Sequence, residues 1–159
     1  MEIAQIQLNK EIPLDNCDIA AIINDITKQL QGSIFEKKAV IIKNFEIDKI
    51  QYPKIYLESI CYNFISNALK YSRKDVTPEI VISTKLINNK IKIIFKDNGL
   101  GINMAKYGNK VFKLNQVFHT GYDSKGVGLY ITKTQVESMG GTIEVKSKVN
   151  EGSEFIVTL

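Results

Sequence analysis

Apolar residues recur at the spacing of an α-helix in three segments of the chain. The first segment ends near Gly32, a predicted helix stop, and its apolar members are Ile19, Ile22, Ile23, Ile26 and Leu30. The second begins at Pro53, which suits the first turn of a helix, and its apolar stripe consists of Leu57, Ile60, Cys61, Phe64, Ile65 and Ala68. The third covers residues 129–139 and ends at two glycines. These patterns predict three helices that each bury one face.

Apolar and polar residues alternate elsewhere, as is typical of strands with one buried face. The segments that predict strands are residues 37–45, 79–86, 90–97, 142–148 and 153–159. Turns at Asn88-Asn89 and at residues 150–152 join the last four into two hairpins. The predicted fold class is therefore α+β, a two-layer sandwich with helices on one face of a mixed, mostly antiparallel sheet.

Two regions lack clear periodicity. Residues 1–12 are interpreted as the connection to an upstream domain, which leaves residues 13–159 as the domain itself. The glycine-containing stretch from Asp97 to Gly128 is too long for an ordinary connection, so we expect a functional loop or lid there.

Composition narrows the classes of function. The formal net charge is +4 over 159 residues, with lysines spread along the chain, which argues against nucleic-acid binding but permits an anionic small ligand. No apolar run is long enough to span a membrane, and no signal peptide is visible. Cys17 and Cys61 lack metal-ligand spacing, and Cys61 lies in the apolar stripe as a predicted core thiol. These features favour a reducing, cytoplasmic compartment.

The second predicted helix carries polar residues along the edge of its apolar stripe. Four of them fall within an arc of roughly 100°, namely Asn63, Asn67, Lys70 and Tyr71. An amide oxygen is a hard ligand that suits Mg²⁺, and a lysine one turn further on can meet a phosphate. These residue types are therefore consistent with a site that binds a phosphate ligand and a metal ion. The alternative interpretation is a solvated helix edge on which the amides only cap backbone groups.

Two glycine motifs add to this pattern. The sequence DNGLG at 97–101 follows a predicted strand, and KGVG at 125–128 precedes a predicted helix. Glycine permits close backbone approach to a ligand, and a helix N-terminus presents free N–H groups to phosphate, although each motif alone also fits an ordinary turn. Val127 stands where a P-loop needs its lysine, and Ile131 stands where a dinucleotide fingerprint needs its third glycine, so neither motif applies.

Taken in order, these motifs resemble the catalytic ATP-binding domain of bacterial sensor histidine kinases. NFISNALKYS at 63–72 resembles the N box of this family, DNGLGI at 97–102 its G1 box, KGVGLYITK at 125–133 its G2 box, and residues 140–159 its closing strands. The family belongs to the GHKL ATPases, together with DNA gyrase and the heat-shock chaperone and mismatch-repair ATPases. The resemblance implies an α/β sandwich of the GHKL type with a mobile ATP lid, and it implies ATP and Mg²⁺ as cofactors.

The resemblance also implies a role for each matching residue. Asn67 would ligate Mg²⁺, Asn63 would lie at the phosphate end and Lys70 would contact phosphate, and these three are the implied catalytic residues. Tyr71 would flank the nucleotide, and Asp97 would accept a hydrogen bond from the adenine amino group. The other implied ATP-binding residues are Gly99, Gly101, Ile102, Lys125, Gly126, Val127, Gly128 and Leu129.

The implied lid covers about residues 103–125. Its F box is met loosely, with Phe112 or Phe118 as the phenylalanine, and Val117 stands where relatives often carry a basic residue. Possible substitutes for a basic contact with the γ-phosphate are Lys110, Lys113 and Lys125.

Histidine kinases phosphorylate a histidine on an upstream dimerisation domain and pass the phosphoryl group to a response regulator receiver domain, so the resemblance implies both as partners. The single histidine, His119, lies in the implied lid and is not favoured as the phosphoacceptor, and no helix pair is visible before residue 13. We therefore interpret the chain as a catalytic fragment that cannot autophosphorylate alone. It would be cytoplasmic, either free or as the cytoplasmic part of a membrane-bound sensor, with no direct membrane contact.

Two other functions stay open. One is a degenerate module that binds a nucleotide or a partner protein without kinase activity. The other is a GHKL ATPase of the gyrase or chaperone type, which Asn63 disfavours because those enzymes generally carry a carboxylate base four residues before the metal-binding asparagine.

Overall fold

Helices and strands are interspersed along residues 12–113 and 127–159, the part of the chain that the computed structural model describes. Their bounds are β1 (Asp15–Asp18), α1 (Ile19–Gln29), α2 (Gln31–Lys37), β2 (Val40–Phe45), β3 (Lys49–Tyr52), α3 (Lys54–Lys70), β4 (Glu79–Ile87), β5 (Lys90–Asp97), α4 (Met104–Tyr107), a 3-10 turn (Gly108–Lys110), α5 (Gly128–Ser138), β6 (Thr142–Lys148) and β7 (Gly152–Thr158). The three predicted helices correspond to α1, α3 and α5.

The main sheet has five strands in the order β2-β4-β5-β7-β6. β2 runs parallel to β4, and the other three pairs are antiparallel. The predicted mixed, mostly antiparallel sheet and the α+β fold class are confirmed, and both predicted hairpins are present. The sequence patterns did not reveal a second sheet, in which the four-residue strands β1 and β3 pair antiparallel.

The hydrophobic core lies between the helices and one face of the main sheet. Each residue of the predicted apolar stripe of α3 is at most 8% exposed, which confirms the stripe. The Phe64 ring packs between two sheet rings, with centroid distances of 4.7 Å to Phe95 and 4.8 Å to Phe155. Cys61 is a free, buried thiol, as predicted. Packing of this kind fixes α3 on the sheet, and therefore also fixes the polar edge beside its apolar stripe.

The predicted end of the first helix and start of the first strand are wrong. α1 ends at Gln29, and Gly32, the expected stop, lies inside α2. α2 buries no residue, so it has no apolar periodicity by which the sequence could reveal it. Lys38 ends α2 in the left-handed conformation (φ 54°), and β2 consequently begins at Val40 rather than at residue 37.

The stretch predicted to be one long loop or lid contains regular structure at its start. α4 begins after Asn103, whose side-chain oxygen accepts a hydrogen bond from the Lys106 N–H at 3.1 Å. Val111 is only 2% exposed, and the Phe112 ring meets the Phe155 ring edge-on at 6.2 Å. The first part of the predicted lid is thus packed on the core, while its bounds stay a prediction because residues 114–126 lie outside the described residues.

The predicted N-terminal connection lies outside the described residues except for residue 12, so it also stays a prediction. Among the described helices, none has the length and apolar character needed to cross a membrane.

Candidate functional site

The polar edge of α3 lies at the rim of the core. Asn63, Asn67, Lys70 and Tyr71 are all half-buried, next to the fully buried stripe of the same helix. Eight residues at the rise of an α-helix separate Asn63 from Tyr71 by about 12 Å. The edge can therefore contact a ligand at two distinct ends, and a different glycine motif reaches each of them.

The N-terminus of α5 meets the Asn63 end. The Asn63 side-chain amide donates to Thr132 Oγ1 at 3.0 Å and to the Gly128 carbonyl at 3.4 Å. Thr132 is fully buried, so this contact holds α5 against α3 and gives Asn63 a structural task. Asn67, one turn further along, makes no side-chain hydrogen bond to another described residue, which leaves its amide oxygen available to a ligand.

The first turn of α5 is electrostatically positive. Val127 occupies the cap position with no side-chain hydrogen bond to the helix, and the first turn contains no acidic residue. The first N–H groups of a helix lack intrahelical partners and mark the positive end of its dipole. Gly128 and Leu129, both predicted site residues, lie in this turn, whereas Lys125 and Gly126 fall outside the described residues.

The loop of residues 98–102 meets the other end of the α3 edge. The Leu100 N–H donates to the Tyr71 carbonyl at 2.9 Å. A Cβ atom on Gly99 would stand 2.6 Å from that same carbonyl oxygen, so only glycine allows the loop to pass so close to α3. Lys70 lies with its Nζ atom 5.8 Å from the centre of the Tyr71 ring, a cation–π arrangement.

Gly101 is required to be glycine by its backbone conformation and by its contact with β6, rather than by a contact with α3. Its φ is +70°, and a side chain there would collide with the Lys148 carbonyl at the end of β6. Gly99 and Gly101 therefore let the loop pack against the chain itself. Their predicted contact with a bound base is a separate matter and stays a prediction. Ile102, which follows, is 6% exposed and closes the loop against the core.

Asp97 ends β5 directly before this loop. Its Oδ1 atom accepts a hydrogen bond from the Gly99 N–H at 2.8 Å. Burial raises the pKa of the Asp97 carboxyl above its ordinary value, while the backbone N–H groups of Gly99 and Ser153 act in the opposite direction. The site thus holds a sheltered carboxylate that can accept a hydrogen bond from a ligand.

The sequence did not predict two basic residues that form hydrogen bonds in this region, Lys37 and Arg73. Lys37 of α2 donates to the Leu69 carbonyl at 2.5 Å and to Ser72 Oγ at 3.0 Å, so a positive charge lies at the C-terminus of α3. Arg73 donates from Nε to the Asn98 carbonyl at 2.9 Å. These contacts have no signal in the sequence, because each partner lies 25 or more residues further along the chain.

The α3 edge offers an oxygen donor of the kind that Mg²⁺ prefers. The described residues contain no cluster of three or more His, Cys, Asp and Glu side chains that could hold a metal by themselves. Mg²⁺ commonly keeps several waters and phosphate oxygens and takes only one or two oxygen ligands from the protein. The amide oxygen of Asn67, which bonds no other described residue and lies one turn from the Asn63 contact with α5, matches that requirement.

The fold and the site define a class, an ATPase-type α/β sandwich with a polar helix edge between two glycine motifs. Residues 53–159 match the family described as histidine kinase-, DNA gyrase B- and HSP90-like ATPase, and the chain belongs to this family. The two curated relatives described next are sensor kinases, and together with the family match they confirm the resemblance inferred from the three boxes.

Two relatives illustrate the match. The sensor protein kinase WalK of Staphylococcus aureus is 30% identical over 159 residues, which cover 96% of this chain and 37% of that protein. The sensor histidine kinase AtsR of Burkholderia thailandensis is 28% identical over 160 residues, which cover 95% of this chain and 26% of that protein. The chain thus spans about a quarter to a third of the length of these relatives.

Solved structures of histidine kinases share the fold. The histidine kinase AdeS of Acinetobacter baumannii superposes with a TM-score of 0.80 at 17% identity, over 99% of this chain and 73% of that one. Full-length ShkA, solved in complex with AMPPNP, gives 0.82 at 21% identity over 99% of this chain and 33% of that one. The catalytic domain of ThkA gives 0.77 at 17% identity, over 92% and 94% of the two chains. At these identities the likeness establishes the fold.

Proposed function

We propose that this chain is the ATP-binding catalytic domain of a two-component sensor histidine kinase. It binds Mg·ATP along the polar edge of α3 and transfers the γ-phosphoryl group to a histidine on an upstream dimerisation domain, from which a response regulator receiver domain takes it. The observation that carries this proposal is the convergence on one helix edge of a sheltered carboxylate at one end and, at the other, a helix N-terminus whose cap residue Val127 makes no side-chain hydrogen bond to the helix. The membership of the family supports ATP as the ligand.

The end of the α3 edge next to Asp97 binds the nucleotide base and selects adenine. A sheltered carboxylate accepts a hydrogen bond from the amino group of adenine, whereas guanine presents a carbonyl oxygen at the same place and leaves two acceptors facing each other. The Tyr71 ring flanks the nucleotide, and the backbone of Gly99, Gly101 and Ile102 shapes the base cradle. Rejection of the wrong base at such a hydrogen-bonded site can reach ~10⁴-fold.

The α5 end holds the phosphates. The first turn of α5, from Val127 to Leu129, supplies N–H groups that lack intrahelical partners. Lys70, which lies toward the Tyr71 end of the α3 edge, extends a point charge toward the phosphates from that side. Asn67 is the ligand of Mg²⁺, which neutralises part of the triphosphate charge when bound. Lys125 and Gly126 belong to the same motif, and Lys110, Lys113 and Lys125 are the candidate contacts from the lid.

Phosphoryl transfer fits this site better than hydrolysis of ATP. The α3 edge carries the neutral amides Asn63 and Asn67, and the Asn63 amide already bonds Thr132 and Gly128. No carboxylate base for a water molecule stands on the described residues of that edge, which disfavours a gyrase-type ATPase. Phosphoryl transfer depends mainly on positioning and charge stabilisation, and the acceptor histidine belongs to a neighbouring domain.

The proposal is tested by calorimetric titration with ATP, ADP and GTP, each with and without Mg²⁺. We expect ATP and ADP to bind far more tightly than GTP, and we expect Mg²⁺ to strengthen the binding of ATP. Equal affinity for ATP and GTP would contradict the role of Asp97. In the full-length parent kinase, phosphate from ATP should appear on a histidine, and nucleotide binding without such incorporation would favour a degenerate binding module.

A further inference from the structure

A row of polar residues crosses three strands of the main sheet beside the base end. Asp97 of β5 pairs in register with Ser153 of β7, and Ser153 pairs with Ser147 of β6. Two residues earlier on β5, the equivalent row on the same face is apolar and consists of Phe95, Phe155 and Val145. The core-facing side of the sheet therefore changes from apolar to polar at the strand ends that border the loop of residues 98–102.

The Ser147 hydroxyl connects this polar row to the loop. Its Oγ atom accepts a hydrogen bond from the Ile102 N–H at 2.7 Å. It also lies 2.9 Å from the Gly152 carbonyl, to which it donates, and 2.7 Å from Ser153 Oγ. One half-buried hydroxyl thus joins the end of the loop to the hairpin that carries Ser153.

The rest of the loop is held by backbone groups and by the side chains of Arg73 and Asp97 described above. The Asn98 N–H donates to the Glu79 carbonyl at 3.3 Å, and the Leu100 N–H donates to Tyr71 as described above. The Leu100 carbonyl accepts from the Asn150 N–H at 2.7 Å. The Ile102 N–H bonds the side chain of Ser147, which is not among the predicted ATP-binding residues, so a substitution of Ser147 can release this end of the loop without altering a backbone partner or a proposed nucleotide contact.

We propose that Ser147 is a positioning residue for recognition of the nucleotide base, because its hydroxyl fixes Ile102 and with it the loop of residues 98–102 next to Asp97. This inference rests on the proposed function. Without the hydroxyl, the free domain has more loop conformations, and binding of the base must order them, which weakens affinity. The phosphates bind at the other end of α3, so that part of the interaction is unaffected.

The test compares Ser147→Ala with Ser147→Thr, which keeps a hydroxyl, and with Ser138→Ala as a matched control. Ser138 Oγ also donates to a carbonyl, that of Gln135 at 2.7 Å, but it lies at the far end of α5. For each variant, amide hydrogen exchange of the nucleotide-free protein is measured, together with the affinities for ATP and GTP by competition titration below the unfolding temperature.

We expect Ser147→Ala to accelerate exchange of the Ile102 amide and to weaken ATP binding about tenfold, with GTP binding unchanged, so that base selectivity narrows by the same factor. Ser147→Thr should retain selectivity, and Ser138→Ala should match the wild type. Equal losses for ATP and GTP, or no loss, would overturn the role of Ser147 while the wild type still prefers ATP. A wild-type protein with no preference for ATP would overturn the proposed function and this inference together.

Discussion

The two ends of the α3 polar edge are built in opposite ways. At the base end, the loop of residues 98–102 is held by hydrogen bonds from its neighbours on α3, β4 and the β6–β7 hairpin. At the proposed phosphate end, the Asn67 amide makes no side-chain hydrogen bond within the described part of the chain, and the cap residue Val127 makes no side-chain hydrogen bond to α5. The proposed function thus assigns base selectivity to the preorganised end, and phosphate and metal binding to groups left available for the ligand.

The largest expected effect on stability comes from a substitution at Gly101, in the loop at the base end. Gly101→Ala places a side chain at φ +70° and against the Lys148 carbonyl, so we expect the free energy of unfolding to fall by about 2–4 kcal/mol in denaturant titration. Gly32→Ala is the control, because a Cβ atom at Gly32 meets nothing within 4 Å, and there we expect a gain of about 0.5 kcal/mol. Similar changes for the two variants would contradict the tight packing of the loop.

At the same base end, Asp97→Asn is expected to change the ATP affinity and the free energy of unfolding in opposite directions. The substitution removes the negative charge of the proposed acceptor for the adenine amino group, so ATP affinity should fall roughly 10–100-fold in calorimetric titration. Asp48→Asn, at an exposed carboxylate, is the control and should bind ATP like the wild type.

Although Asp97→Asn should lower the ATP affinity, we expect it to raise the free energy of unfolding. Burial raises the pKa of the Asp97 carboxyl in the folded state, so the folded domain binds more protons than the unfolded chain between the two pKa values. The free energy of unfolding therefore falls as the pH rises through that window and stays lowered at neutral pH. Asp97→Asn should raise the free energy of unfolding at pH 7 relative to the wild type, and a decrease would argue against a desolvated carboxylate.

The phosphate end is tested by its two asparagines, which look equivalent in sequence. Asn67→Ala should remove most of the Mg²⁺-dependent gain in ATP affinity, about tenfold, with little change in stability. Asn63→Ala should lower the free energy of unfolding by about 1 kcal/mol, because it leaves the buried Thr132 hydroxyl without this partner. Titration with and without Mg²⁺ and thermal unfolding distinguish them, and an unchanged Mg²⁺ dependence in Asn67→Ala would exclude it as the ligand.

These two asparagines also show how far the sequence could be used. The apolar stripe of α3 predicted its burial and its polar edge, because helical periodicity is a local pattern. The order of the three boxes predicted the fold. The division of work between Asn63 and Asn67 was not predictable, because it depends on α5, which is brought next to Asn63 only by tertiary packing.

The same reasoning explains the elements that the sequence did not reveal. α2 buries nothing, and β1 and β3 have four residues each, so none of them has enough periodicity to be recognised. Ser147 is one of many serines by composition, and its position is meaningful only through its register with Ser153 and Asp97. Long-range pairing of this kind has no local signature.

The smallest expected effect concerns Lys37, which contacts the C-terminus of α3 next to the base end. Lys37→Met keeps the apolar stem but removes the hydrogen bonds to the Leu69 carbonyl and Ser72, so the last turn of α3 loses a favourable charge at its C-terminus. We expect the free energy of unfolding to fall by about 1 kcal/mol, with Lys38→Met at an exposed neighbouring lysine as the control. The ATP affinity should change by less than about threefold, because the bond from Leu100 to the Tyr71 carbonyl remains. A loss of ATP binding as large as that of Asp97→Asn would mean that the base end is held by α2 rather than by its own loop.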